Sequence, residues 1–170
     1  MPDQVGLELL AQQLGEAIPG SVLETTFAHG QAAVRVAPAS VRTVLAQLRQ
    51  AHGFRALMSV HGVDYYPHEP RLGVHYELLD MERVDRLTVK LRVGVAEAVV
   101  ESVTADWPTA NHQEREVYDM FGVHFDGHPD LRRILMPEDY EGHPQRRDFP
   151  IGGEPVLFTY NDATSPGWTR

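Results

Sequence analysis

Nine histidines, an absence of cysteine and a run of paired arginines set the chemistry this 170-residue chain can offer. Most of the candidates fall in residues 114–150, EREVYDMFGVHFDGHPDLRRILMPEDYEGHPQRRDFP. His124-x-Asp126-x-His128, joined by His143, can supply three ligands to a metal ion and so the centre of a metal-dependent hydrolase. That spacing lies in a predicted loop rather than on a stiff helix. The pairs His128-Pro129 and His143-Pro144 read better as turn and contact residues, and no metal site is assigned. Glu114 and Glu116 do not make an acid–base pair, because residues two apart on a helix face different ways. No catalytic residue is assigned either. Arg132, Arg133, Arg146 and Arg147 alternate with Asp130, Glu138, Asp139, Glu141 and Asp148. Every cation in this run is arginine, whose planar fork suits packed, bidentate contacts to carboxylates, so the run reads as an interface.

Other chemistries are excluded by what the chain lacks. Without cysteine there are no disulfides, thiolate-held iron–sulfur clusters or cysteine nucleophiles. There is no Gly-rich dinucleotide fingerprint, no phosphate loop and no Gly-x-Ser-x-Gly. A net charge of −9 argues against a nucleic-acid partner. The opening residues carry an acid where a signal peptide carries positive charge, and no apolar run is long enough to span a bilayer as a helix. Membrane contact is expected only through a partner.

The elements that position these residues follow from periodicity. Residues 3–17 have helical spacing, stopped by Pro19-Gly20. Segments 22–28 and 32–37 read as strands of a hairpin around His29-Gly30. Ser40 is placed to cap a helix over 41–52, with Val41, Val44, Leu45 and Leu48 on one side. Segments 56–66, 72–80 and 87–93 are strands. The last alternates cleanly between Leu87, Val89, Leu91, Val93 and Thr88, Lys90, Arg92, as a one-sided antiparallel sheet requires. Residues 99–103 form a weaker strand. The fold class is therefore α+β: a mainly antiparallel sheet backed by helices over residues 1–123, followed by an extended C-terminal arm, 124–170. Few apolar residues of the arm have local partners, so it is expected to lie on another surface and to be unordered in the free chain.

A helix over 108–121 leads into the arm. Val117, Tyr118, Met120 and Phe121 share one arc, and Arg115, Glu116 and Asp119 take the opposite side. Glu114 falls inside the apolar arc. It either sits partly wet at the helix start or holds an arginine of the arm or of a partner. Gly122 stands where a helix ends in a left-handed residue.

Glu114-Arg115-Glu116-Val117-Tyr118-Asp119-Met120-Phe121-Gly122-Val123, then Gly127-His128-Pro129-Asp130-Leu131-Arg132-Arg133-Ile134-Leu135, resembles the signature of the thirty-kilodalton subunit family, the C subunit of proton-pumping NADH:quinone oxidoreductase (respiratory complex I). Pro137-Glu138-Asp139, Glu141-Gly142-His143-Pro144, Arg147-Asp148-Phe149-Pro150 and Val63-Asp64-Tyr65 extend the likeness, which covers about residues 56–155. One departure is His112, where the family often has a bulky aromatic residue. The resemblance implies a non-catalytic member of the peripheral arm, contacting the B and D subunits on the cytoplasmic side of the membrane. It implies no cofactor in this chain, with FMN, iron–sulfur clusters, NADH and quinone bound by other subunits. Related subunits occur in ferredoxin-linked and hydrogenase-type complexes, and this chain alone does not choose among the electron donors.

Overall fold

The computed structural model describes residues 3–150. Helix α1 (Gln4–Ala17) starts at Asp3, whose carboxylate accepts the Gly6 amide, and buries Leu7, Leu10 and Leu14 at helical spacing. Strands β1 (Val22–Ala28) and β2 (Gln31–Val36) form the expected hairpin; its two turn residues, His29 and Gly30, both have positive φ, as tight two-residue hairpin turns demand. Helix α2 (Val41–Ala51) buries Val41, Val44, Leu45 and Leu48. Ser40 does not cap it: it belongs to a short 3-10 turn, Pro38–Ser40, that runs straight into the helix, and its side chain makes no cap hydrogen bond.

Strands β3 (Ala56–Asp64), β4 (Leu72–Asp80) and β5 (Asp85–Val93) complete a five-stranded sheet of order β1-β2-β5-β4-β3. Its pairs are antiparallel except β2 with β5, which are parallel. The helices supply one continuous core with the inward side of the sheet, around Val34, Val60, Val74, Tyr76, Val89 and Leu91. The fold is thus α+β with a mostly antiparallel sheet. Burial of these apolar side chains, about 2 kcal/mol for each aliphatic one, is the main force holding it.

Two short elements follow. Strand β6 (Val99–Glu101) pairs in parallel with β7 (His124–Asp126), and between them runs α3 (Ala110–Phe121). Strand β7 carries the packed body three residues past the expected boundary at residue 123, since Val123 and Phe125 are both fully buried. Helix α3 lies on edge strand β3. Gly62 of β3 permits this: a Cβ there would stand 2.6 Å from Cε2 of Phe121. Gln113 of α3 accepts the Val60 amide at 2.6 Å, covering part of that exposed strand edge.

Candidate interface: helix α3 and the arm it holds

Helix α3 carries two fully buried carboxylates, and they face opposite tasks. Glu114 accepts hydrogen bonds from the Ser102 hydroxyl at 2.6 Å and the Val103 amide at 2.8 Å. No arginine reaches it among the described residues, and it is not wet, so both expectations for it are overturned. Burial pushes its carboxyl up to about 7, against the two hydrogen bonds, which pull the other way. Its proton can be accommodated: the carboxyl then donates to Ser102 Oγ, whose hydrogen turns to Thr104 Oγ1 at 2.8 Å. Glu114 therefore pins α3 to the segment after β6.

Asp119 was expected on the outer, polar side of the helix. Instead it is fully buried, because the arm crosses that side. Its Oδ2 accepts three consecutive arm amides, Ile134 at 3.0 Å, Leu135 at 2.8 Å and Met136 at 2.9 Å, and its Oδ1 accepts Arg133 Nη1 at 2.6 Å. Burial works to raise the Asp119 carboxyl, but the amides and the guanidinium outweigh it and hold it below the usual range. Arg133 also donates to the carbonyl of Gly142 at 3.0 Å, closing the arm on itself.

The arm further satisfies the open end of α3. A helix leaves its last four carbonyls without intrahelical partners. Here Gly122, left-handed at φ 74°, donates to Tyr118; His143 Nδ1 donates to Asp119; the Gln145 amide donates to Met120; and Arg146 Nε donates to Phe121. A side chain at Gly122 would collide with His143 and Arg146, so this glycine provides both the cap geometry and the space. Burial pushes the His143 ring toward its neutral form, which fits an Nδ1–H donating to a carbonyl.

Two more clasps hold the arm. Arg115 donates to the carbonyls of Arg132 and Arg133 at 3.1 and 3.0 Å. Near the arm's end, buried Arg71 bridges Asp64 and Asp148, while the Arg147 amide donates to Asp64 at 2.7 Å and its guanidinium to the Tyr66 carbonyl at 3.1 Å. Arg71 and the two amides that Asp64 accepts keep that acid well below its normal range. Tyr140 and Phe149 stack at 6.2 Å between ring centres, with Gly142 packed beneath Phe149. Residues 127–150 thus find polar partners within their own chain where apolar ones are few. Residues 151–170 of the expected arm lie outside the described residues.

Residues 34–155 match the family described as "Respiratory-chain NADH dehydrogenase, 30 Kd subunit". The chain belongs to this family. The NADH-quinone oxidoreductase C subunit of Roseiflexus sp. (strain RS-1) is 43% identical over 152 residues, covering 88% of this chain and 87% of that protein. The protein of the same name from Saccharopolyspora erythraea is 41% identical over 169 residues, covering 97% of this chain and 67% of the relative. Among solved structures, a trypsin-resistant fragment of Nqo5 superposes with a TM-score of 0.64 at 30% identity, covering 74% of this chain and 98% of the fragment. A chain of the membrane-bound sulfane sulfur reductase, an archaeal respiratory membrane complex, shares the fold with a TM-score of 0.72 at 24% identity, over 94% of this chain and 97% of that one.

For this family member, the signature residues named from sequence divide into two groups. Glu114, Arg115, Asp119, Phe121, Gly122, His128, Arg133, Gly142, His143 and Asp148 make the internal contacts that seat α3 and the arm. Glu116, Pro129, Arg132, Glu138 and Asp139 are exposed, Tyr118 and Pro144 half-exposed, and Arg147 is exposed while still clasping Asp64 and the Tyr66 carbonyl. Next to them Leu135 is 59% and Ile134 38% exposed, an apolar pair turned outward by the amides that Asp119 grips.

The histidines do not converge. His128 Nε2 donates to the Asn111 carbonyl at 3.2 Å and its Nδ1 accepts the Asp130 amide at 3.0 Å, so both ring nitrogens serve the arm. It sits at the start of α3 and His143 at its end, eight helical residues or about 12 Å apart. They cannot ligate one ion together with His124, and among the described residues no His, Asp and Glu group has metal-binding geometry. Sequence reading missed Arg71, the cation under Asp64 and Asp148. Its signal was weak: one arginine between Pro70 and a strand.

Proposed function

We propose that this chain is the peripheral-arm C subunit of a proton-translocating NADH:quinone oxidoreductase. It contributes shape and contact surface, and electron transfer from NADH through FMN and iron–sulfur clusters to quinone runs through other subunits. The match to the thirty-kilodalton subunit family over residues 34–155 carries this reading. The internal geometry supports the manner of it: α3 and the arm are locked together by buried carboxylates, and Arg132, Ile134, Leu135, Glu138 and Asp139 are turned outward. We assign this outward strip to the B and D subunits. No helix of the described residues is long and apolar enough to cross a membrane. We place the chain on the cytoplasmic side, attached through those partners.

Arg132 and Arg133, a natural pair for charge reversal, are not equivalent. Arg133 is part of the internal latch, and Arg132 is exposed and, among the described residues, ion-paired only with Asp130, at 2.9 Å. The clean test is therefore Arg132→Glu with Leu135→Asp. The wild-type chain, co-expressed with tagged B and D subunits, is expected to co-purify with them, and the double variant to be lost while its far-UV CD and urea midpoint stay unchanged. Normal recovery of the variant would remove the strip from the interface. Failure of the wild-type chain to associate would remove the functional assignment.

A further inference from the structure

The outward side of the five-stranded sheet carries a band of cations that the acids of the described residues neutralise only in part. Central strand β5 presents Arg86, Thr88, Lys90 and Arg92 to this side, alternating with the buried Leu87, Val89, Leu91 and Val93. Lys90 is the chain's single lysine. Across the strands the register places Glu24, Arg35, Lys90, His75 and His61 directly opposite one another in one row. Neighbours in a row point to the same face, and like charges directly opposed are unfavourable.

Two carboxylates share this face, and the cations outnumber them. Glu24 pairs with Arg35 at 2.9 Å, at the far end of the row from the histidines. Glu77 accepts the Thr88 hydroxyl at 2.8 Å, a neutral partner, so its charge offsets one of the flanking Arg86 and Lys90 and leaves the other. Arg92 lies over the Tyr65 ring at 4.2 Å and donates to the carbonyls of Pro70 and His68. Among the described residues Arg86 and Lys90 enter no ion pair. His75 hydrogen-bonds Tyr65 Oη at 2.9 Å and stays neutral, held down by burial and by the adjacent His61 and Lys90, so it adds a polar ring rather than a further charge. All helices pack on the other side of the sheet; on this side the Tyr65–Pro70 loop lies over His75 and Arg92 and leaves Arg86 and Lys90 outside it.

In a chain of net charge −9, a sheet face that sets four cations, Arg35, Arg86, Lys90 and Arg92, against two acids, Glu24 and Glu77, marks a contact made with something acidic. We infer that the outward face of β2, β5 and β4 is a second docking surface of this protein, taking an Asp/Glu-rich segment of a neighbouring subunit, with Lys90 and Arg86 as its anchors. This rests on the proposed membership of a multisubunit complex. It concerns the side of the molecule turned away from the arm.

The lone lysine makes the inference directly readable in the intact, purified complex. A zero-length carbodiimide joins a lysine amine to a carboxylate in contact with it. The expected product is a Lys90 cross-link to an Asp or Glu of another subunit, found by peptide mass spectrometry and missing from a complex carrying Lys90→Arg. In parallel, Lys90 is expected to react with an amine-specific acetylating reagent at least about tenfold more slowly in the complex than in the free chain, the protection that a contact worth about 1.4 kcal/mol gives. Equal reactivity in both, or cross-links only to carboxylates of this same chain, overturns the inference. An anionic lipid on the band also overturns it, and would show as protection lost on delipidation with no protein cross-link. If the chain does not assemble with other subunits at all, the fault lies with the functional proposal instead, and that is settled by co-purification before any cross-linker is added.

Discussion

Replacing Asp119 by alanine isolates the energetics of the arm from those of the core. The carboxylate holds one guanidinium and three successive amides, and each charge-assisted bond is worth about 1.5–3 kcal/mol. Their sum is not the expected loss. Once the arm detaches, its amides and Arg133 are hydrated by water, so the cost is capped by the free energy of docking the arm. Docking draws on few apolar contacts: Leu131 and Met136 are only partly buried against the core. A loss of about 3 kcal/mol is reasonable for one buried charged centre, which increases opening of the arm by roughly 100-fold. Hydrogen exchange resolves this by position. In the Asp119→Ala chain the amides of Ile134, Leu135 and Met136 should exchange about 100-fold faster, while those of Val74, Tyr76, Val89 and Leu91 keep their wild-type protection. Asp119→Asn should fall between the two: its carbonyl can still accept the amides, but its NH₂ then faces the Arg133 guanidinium. Unchanged exchange at residues 134–136 would refute the latch. Equal loss of protection through the sheet would show that the arm and body unfold as one unit and that separating them here is mistaken.

Three further outcomes follow from the same contacts. Glu114, protonated up to about 7 in the fold against an ordinary 4.5, contributes stability that is fully present below pH 4.5 and is lost as pH rises to 7; about 3 kcal/mol should separate pH 4.5 from pH 8 on this account, and the urea midpoint of Glu114→Gln should lack that decline relative to wild type. Gly62→Ala drives a methyl into the Phe121 ring and should cost about 1–3 kcal/mol in chemical denaturation, and a Phe121→Leu second change should recover part of it. Arg71→Met leaves Asp64 buried without its cation and should destabilise by about 3 kcal/mol at neutral pH, with Asp64→Asn in the same chain restoring much of the loss; no recovery would mean the arginine acts through packing alone.

The body of the fold was readable because its signals are local. The alternation of Leu87 to Val93 fixed a one-sided strand, the spacing of Val41, Val44, Leu45 and Leu48 fixed α2, and Gly122 marked the end of α3. Strand β7 escaped because three residues carry no usable period, and Phe125 is buried by pairing with Val100. The candidate site was legible as a segment but not as a geometry. Periodicity places Asp119 on the polar side of its helix because it reads only the helix, not what crosses it. A signal existed nonetheless. Aspartate is a poor residue for a helix interior, and residues 132–136 form a stretch without periodic structure whose amides need acceptors. The two facts together point to one contact across fourteen residues of sequence, Asp119 to Arg133.

The two buried acids of α3 explain why a contact surface on a non-periodic arm can be specific. Burial alone raises a carboxyl, and what separates Glu114 from Asp119 is the donor set: one hydroxyl and one amide for the first, three amides and a guanidinium for the second. The first therefore carries a proton near neutral pH and the second does not. A neutral acid tethers the helix to the body without demanding a counter-charge. An ionised one recruits the arm through charge-assisted bonds that would be left unsatisfied if the arm shifted register by one residue. Because those bonds consume the amides of residues 134–136, the side chains of Ile134 and Leu135 are turned outward by backbone geometry rather than by rotamer choice. On the proposed function, and against the expectation of an unordered arm, a partner binding that strip would meet a surface already ordered, and the entropy of fixing an extended segment would not be charged again at assembly. On this argument, loosening Asp119 should weaken assembly even though Asp119 itself touches no partner. The deficit should equal RT ln(1 + Kop), where Kop is the arm-opening constant of the variant measured by hydrogen exchange in the free chain, so it grows only once the arm is open for an appreciable fraction of the time.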